Sequence, residues 1–332
     1  MRTKIVYSLV SDSNDHFLEQ LLISTYSVKL HNKEARTVLV IDEDSDKELT
    51  AERLNALVYV DEKIVVKTPK LGKKSRSRWL KTSIRQIVKD DYLFIDTDTI
   101  ITGDLSEIDK VDGHISAVLD RHLSLDKNQR GEAIVKQCRR SGWNPEKQDY
   151  QYFNSGVMLV KECPEAHELY KKWHDIWESS YHRGIDIDQP ALGLANRQAG
   201  YLIKELDGTW NCQILGNGLR FMHDAKILHY YNSDSRTLLH SNPFVFSNAQ
   251  FQHRVKDAGF QLPDDIKEMV KTPYRQFAES YEIIADERLD AFTSQVTAFT
   301  MRGYKQKDFA YRLLNLYVKG IIAIKDFVKK HK

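Results

Sequence analysis

The stretch Tyr92-Leu-Phe-Ile-Asp-Thr-Asp-Thr-Ile-Ile101 sets four apolar residues directly ahead of two carboxylates, Asp96 and Asp98, one residue apart. Such a run predicts a buried strand with its acids emerging at the carboxyl end, where open α/β sheets place their ligands. In extended chain, alternate residues point the same way, so both carboxylates can face one divalent ion. Paired acids at a strand end need compensation from a cation or strong donors. Carboxylate oxygens suit Mg²⁺ or Mn²⁺, and no cluster of sulfur or histidine calls for zinc. An ion that also touches a phosphate would serve cleavage of an activated phosphate ester or nucleotide conjugate.

Around this stretch the first half of the chain alternates strand and helix. Strands are expected at Ile5 to Val10, Arg36 to Ile41 and Lys63 to Lys67, and helices at Asp15 to Lys29, Lys47 to Leu57 and Trp79 to Val88. Asp42-Glu-Asp-Ser-Asp46 reads as an acidic loop. Further strands fall at Ile115 to Leu119 and Gly156 to Val160, followed by a helix from Pro164 to Trp177. The alternation predicts an α/β fold with a mostly parallel, layered sheet. Between Asp120 and Tyr152 the chain is polar and long enough to be functional rather than a simple connection.

From Pro243 the character changes, giving an expected division into a catalytic region, 1–242, and a helical C-terminal region, 243–332. Phe277, Tyr281 and Ile284 share one helical face, and Phe309, Leu313, Leu316 and Ile321 roughly continue another. The last segment joins Ile321, Ile324, Phe327 and Val328 to Lys325, Lys329, Lys330 and Lys332. That pattern fits either a packed terminal helix with a solvated tail or peripheral contact with an anionic membrane.

Bulk properties narrow the classes further. A chain of 332 residues can bury a full core. Its 49 basic and 47 acidic side chains nearly cancel, which makes no general case for nucleic acid as a partner. Cys138, Cys163 and Cys212 are too few and too widely spaced for a disulfide framework or a thiolate zinc site, so a reducing compartment is expected. The apolar run Ile5 to Val10 is too short for a secretory signal, and no uncharged run approaches the ~20 residues that cross a bilayer. A cytoplasmic protein is the expectation, with any membrane contact peripheral, at the inner surface. No internal repeat points to a solenoid or propeller.

Two enzyme classes use an Asp-x-Asp strand end. In phosphatases that resemble the haloacid dehalogenase group the signature opens the fold, whereas here 91 residues precede Tyr92. The other class is the GT-A nucleotide-sugar glycosyltransferases, and separated motifs favour it. With Tyr152-Phe-Asn-Ser-Gly-Val-Met-Leu-Val160, Asp188-Gln-Pro-Ala-Leu192 and the late His229, the chain resembles glycosyltransferase family 8 over roughly residues 5 to 232. Members of that family transfer sugars from nucleotide diphosphosugars with retention at the anomeric carbon.

The resemblance implies a GT-A fold in which Asp96, Asp98 and His229 hold Mn²⁺ or Mg²⁺, with Asp96 also near the donor. A ligand role for His229 needs a neutral ring nitrogen. Asp188 and Gln189 match the pair beside the donor sugar and the reaction centre, although Asp188 can equally cap the helix that Pro190 and Ala191 begin. Asn154 is matched to the sugar pocket, against the alternative that Asn154, Ser155 and Gly156 only shape a turn. Arg78 or Lys81 supplies a positive charge to the donor. These two close a basic tract, Lys67, Lys70, Lys73, Lys74, Arg76, Arg78 and Lys81, whose other members can meet an anionic acceptor. The tract lacks the aromatic interleaving of a nucleic-acid surface.

Tyr7, Ser8 and Asp12 match the base and ribose region, where Tyr7 can stack on uracil or belong to the core and Asp12 can bind or shape a turn. After His229 the family pattern has glycine and lysine where this chain has Asn232 and Ser235, and Arg236, one place later, is the candidate to face the diphosphate. The expected activity is transfer of a hexose from a UDP-sugar to a glycan, glycoprotein or glycolipid hydroxyl. A glycan-binding or scaffolding protein of the same fold, and a metal-dependent nucleotidyl or phosphoryl transferase, remain open on the sequence.

Overall fold

The computed structural model describes residues 1–128, 130–214, 217–231, 244–277 and 308–330, with 294, 296, 297, 299, 300 and 303. The chain forms two compact units, one of Met1–Ser233 with Asn242–Ile283, the other of Asp234–Ser241 with Ile284–Lys332.

In the first unit the strands are β1 (Lys4–Leu9), β2 (Thr37–Asp42), β3 (Glu62–Val66), β4 (Tyr92–Ile95), β5 (Thr99–Ile101), β6 (Ile115–Leu119), β7 (Phe153–Val160), β8 (Ile203–Glu205), β9 (Cys212–Gln213) and β10 (Ile227–His229). Its helices are α1 (Phe17–His31), α2 (Glu43–Lys47), α3 (Lys73–Ile87), α4 (Gly131–Arg140), α5 (Pro164–His182), α6 (Gln189–Gln198), α7 (Ala249–Asp257) and α8 (Asp264–Lys271). Seven strands form a mostly parallel sheet in the order β3-β2-β1-β4-β7-β6-β8, in which β7 alone runs antiparallel to its neighbours. A smaller sheet takes the order β5-β10-β9.

Both faces of the large sheet are covered, which is why β4 reads as an unbroken apolar run. Ile5, Tyr7, Leu9, Leu93 and Ile95 enter the core shared with Leu18, Leu21 and Leu22 of α1. Val6, Val10, Tyr92 and Phe94 face the other way, against Leu80 and Ile84 of α3 and Trp173 and Trp177 of α5. Phe244, Phe246, Phe251 and Val255 join the first of these cores, so the segment 244–277 packs with the α1 side.

Three expected elements differ. The helix expected at Lys47 to Leu57 is replaced by the end of α2 at Lys47 and a separate 3₁₀ helix at Ala51–Leu57. Asp42 to Asp46 forms α2 rather than a loop: Asp42 is its N-cap and accepts from Ser45 N at 3.2 Å, and acids crowd its first turn, where the helix dipole favours them. α3 starts at Lys73 instead of Trp79. Its cationic first turn opposes the dipole, but Lys73 bridges Asp12 and Asp15 at 2.9 and 2.8 Å, and Arg76 reaches Asp42 and Asp44 at 2.5 and 2.6 Å.

In the second unit, α9 (Phe309–Lys330) exposes Leu313, Leu316, Ile322, Ile324 and Phe327. The side chains of Lys325, Lys329, Lys330 and Lys332, and residues Tyr281 and Ile284, lie outside the described residues. Among the described residues no helix is long and apolar enough to cross a membrane.

Candidate active site

Because β7 pairs antiparallel with β4, its beginning lies beside the carboxyl end of β4: Ile95 faces Val157, and Asp96 N donates to Gly156 O at 2.8 Å. Asp96-Thr97-Asp98 is not strand but the link that leaves the large sheet and enters β5 of the small one. Thr99 Oγ1 donates to Asp96 O at 2.8 Å and Tyr230 N to Asp98 O at 3.0 Å, which fix this link at both ends. The antiparallel pairing of β5 with β10 sets His229 directly opposite Thr99. One ligating atom each from Asp96, Asp98 and His229 then lies within 4.8 Å of the others. His229 Nε2 stands 3.3 Å from Asp98 Oδ1.

The imidazole is held on several sides. Its Nδ1 lies 3.0 Å from Asn211 Oδ1, which can only accept, so Nδ1 carries a proton and Nε2 is the nitrogen turned toward the acids. Tyr231 stacks on the ring with centroids 4.2 Å apart. Gly156 fills the remaining approach, for a Cβ there would stand 2.4 Å from His229 Cε1 and 2.9 Å from Asp96 Oδ2. Glycine is needed at 156 for this close approach, not for a turn.

A buried polar lattice backs this corner. Asn154 Nδ2 donates to Asp120 Oδ1 at 3.1 Å and to Tyr231 Oη at 2.9 Å, while its Oδ1 accepts from Gly156 N and Asn211 Nδ2 at 2.9 and 3.0 Å. These four bonds use the full capacity of the amide, so Asn154 supports the corner and has no bond left for a sugar. Tyr231 Oη donates onward to Gln213 Oε1 at 2.5 Å, and Arg121 N donates to the same oxygen at 2.7 Å. Gln213 N reaches His122 Nε2 at 3.2 Å. Arg121, His122 and Tyr231 all hold left-handed backbone, with φ of 55°, 60° and 50°, strain that the surrounding bonds sustain. Asp120, Asn211, Gln213 and Tyr231 carry no sequence motif, and their only signal is polar residues flanking short apolar segments.

Two charges from α3 complete the site. Arg78 and Lys81, three residues apart, share a helix face. Lys81 Nζ lies 2.9 Å from both oxygens of Asp96. Arg78 Nε pairs with Asp188 Oδ1 at 3.1 Å, and Ser155 Oγ donates to Asp188 Oδ2 at 3.2 Å. Asp188 stands at the N-cap of α6, but its side chain makes no capping bond. Its carbonyl accepts from Leu192 N at 3.0 Å and Trp173 Nε1 at 2.9 Å, which anchors the helix start. Burial pushes Asp96 above the usual carboxylate range; Lys81 opposes this and the charge of Asp98 adds to it. Burial acts on Asp188 in the same direction, but Arg78 and then Lys81 outweigh it and hold the carboxyl below its ordinary value. Gln189 opens α6 half-buried.

The expected base-binding residues divide. Tyr7 is fully buried in the core with its hydroxyl 2.8 Å from Ser24 Oγ, so it cannot stack on a base. Ser8, on the opposite face of β1, is half-buried. Asp12 is partly exposed beyond β1, bound to Lys73 and accepting from Asn14 N at 2.8 Å. Arg236 lies outside the described residues.

The sequence pattern of glycosyl transferase family 8 matches residues 8–234. The chain belongs to glycosyltransferase family 8. A comparison with curated proteins finds no match. Among solved structures, the family 8 chain is similar to the apo WbbM bifunctional glycosyltransferase at a TM-score of 0.50 and 14% identity, over 83% of this chain and 52% of that one. It thus spans about half the length of WbbM, and the likeness is one of fold. The galactosyltransferase LgtC, solved with donor and acceptor sugar analogues, gives a TM-score of 0.48 at 13% identity over 80% of this chain and 99% of that one. For the glycosyltransferase GlyE of Streptococcus pneumoniae TIGR4 the values are 0.46 and 18%, over 85% and 67%. The mostly parallel sheet, with acids leaving the end of β4, is the GT-A arrangement of this glycosyltransferase family.

Proposed function

We propose that this glycosyltransferase takes a hexose from a UDP-sugar and gives it, with retention, to a hydroxyl of a growing glycan or glycolipid. The observation that carries the reading is the convergence of Asp96, Asp98 and His229. Two carboxylates and an imidazole oriented through its Nδ1 are a donor set that fits a small divalent cation. Mn²⁺ or Mg²⁺ held there supplies positive charge against the diphosphate as UDP leaves.

The chain's own residues do the rest. Lys81, already against Asp96, offsets the burial of that carboxylate and can donate to a diphosphate oxygen. Asp188, kept ionised by Arg78, accepts a hydrogen bond from a hydroxyl of the donor sugar. The Gln189 amide oxygen faces the reacting carbon and stabilises the charge that develops there; a neutral amide is too weak a nucleophile for a covalent role. In the transfer the bond from the anomeric carbon to the diphosphate breaks and a bond to the acceptor oxygen forms on the same face. The acceptor proton passes to a diphosphate oxygen. Asp12 and Ser8, beyond and within β1, lie on the side assigned to base and ribose.

Exposed apolar residues along α9 support an acceptor presented at a membrane surface, to which that helix binds peripherally. Binding of the full chain to anionic vesicles, weakened by Leu316→Glu with Phe327→Glu, tests this point. A panel of UDP-sugars and acceptors, read by cation-dependent UDP release and by the anomeric configuration of the product, tests the activity. Glycan binding without turnover on any donor would overturn transfer, and an inverted product would overturn retention.

A further inference from the structure

A second group of ligating side chains lies away from the donor residues. His114 sits on the turn before β6, and its carbonyl accepts from Lys161 N at 2.9 Å. Cys163, at the N-cap of α5, donates its own N–H to Lys161 O at 3.1 Å, and Glu165 follows in the first turn of that helix. The turn into β6 and the start of α5 are therefore tied to one residue, which fixes how their side chains meet. His114 Nδ1 lies 3.2 Å from Cys163 Sγ and 3.7 Å from Glu165 Oε2, and the three ligating atoms fall within 4.8 Å of one another.

We infer that His114, Cys163 and Glu165 form a binding site for a borderline-soft divalent cation of the Zn²⁺ class. A thiolate and an imidazole select such an ion over Mg²⁺ or Ca²⁺, in contrast to the acid-dominated set at Asp96 and Asp98. Ordinary zinc bond lengths in a tetrahedron set sulfur and nitrogen about 3.5 Å apart and nitrogen and oxygen about 3.3 Å apart. Both observed separations lie within about half an ångström of these values, a gap that rotation of surface side chains closes. His114 and Glu165 are 46% and 51% exposed, so ion and solvent reach the cluster and a fourth position stays open to water. On binding, the Cys163 thiol gives its proton to solvent and the thiolate takes the cation.

Cys138 and Cys212 are fully buried, so a reagent for accessible thiols reports on Cys163. The full chain carrying Asp96→Asn and Asp98→Asn, which weakens the donor-site ligand set, is titrated with Co²⁺ as a spectroscopic probe and with Zn²⁺. One equivalent of Co²⁺ is expected to give a thiolate-to-metal charge-transfer band that Zn²⁺ displaces, and that Cys163→Ser and His114→Ala abolish. One equivalent of Zn²⁺ is expected to slow alkylation of Cys163 about ten-fold or more, and a chelator to restore it. The same Zn²⁺ protection should disappear in Glu165→Ala folded to the same thermal midpoint. Absence of the band, its survival in Cys163→Ser, or an alkylation rate unmoved by Zn²⁺ would reduce the cluster to a hydrogen-bonded Cys–His pair and overturn the site.

Discussion

The clusters Asp96/Asp98/His229 and His114/Cys163/Glu165 each gather three ligating atoms within 4.8 Å, yet they are built in opposite ways. In the first, the imidazole is bonded by Asn211, stacked by Tyr231 and closed by Gly156. In the second, half-exposed side chains are aligned by the backbone bonds around Lys161 and the contact of His114 with Cys163. The difference teaches what a reaction demands beyond ligation. A site that must hold charge in one geometry throughout turnover needs its supporting shell fixed, whereas a site that only holds an ion can adjust as the ion arrives.

The largest effect should come from the acids themselves. Asp98→Asn is expected to lower UDP release by about 10³-fold while leaving the Co²⁺–thiolate band of the other cluster intact, and loss of both signals together would break the contrast. Next, Gly156→Ala forces a methyl onto His229; turnover should fall about a hundredfold, with about 1–3 kcal/mol lost in denaturant unfolding. An unchanged rate would mean that the imidazole is not held where the comparison places it.

Burial of a third carboxyl sharpens the point. Glu19 in α1 is fully buried and neither of its oxygens meets a hydrogen-bond partner among the described residues; burial pushes its pKa from 4.5 to about 7. Asp96 is only partly buried, and Lys81 stands against it. Because the folded state holds the Glu19 proton more tightly than the unfolded chain, its contribution to stability is fully present below pH 4.5 and is lost as pH rises through about 7. Glu19→Gln should flatten that slope and gain about 1–2 kcal/mol at pH 8, measured by urea unfolding across the range. The smallest effect is expected from Tyr231→Phe, which keeps the stacked ring and removes the hydroxyl between Asn154 and Gln213. Mn²⁺ affinity should fall about ten-fold, read by titration of UDP release, with the Zn²⁺ cluster unaffected.

Much of this architecture was legible in the order of residues. Tyr92–Ile95 and Ile115–Leu119 form strands with the expected bounds, because burial on both faces writes a run that is apolar throughout in the first and broken only by Ser116 in the second. The start of α3 was not legible, since lysines and arginines show no apolar period and the acids that steady them lie as much as 61 residues away. Asp96, Asp98 and His229 come together as expected, but Asn154 does so in another role. Three of its four hydrogen bonds depend on Asn211, Asp120 and Tyr231, which only the meeting of the two sheets makes neighbours. Tyr7 shows the converse: one face of β1 points to α1, and parity alone decided that the ring is core.

The reversal of β7 has a consequence for how such an enzyme can diversify. Asn154 to Gly156 form a wall of sheet backbone, so an insertion there would slip β7 against β4 and β6 at once and turn its side chains to the wrong faces. Loops outside the sheet ladders carry no such double constraint and can lengthen or change composition. A lineage built on this plan can exchange the molecule it modifies while the bond it breaks stays the same.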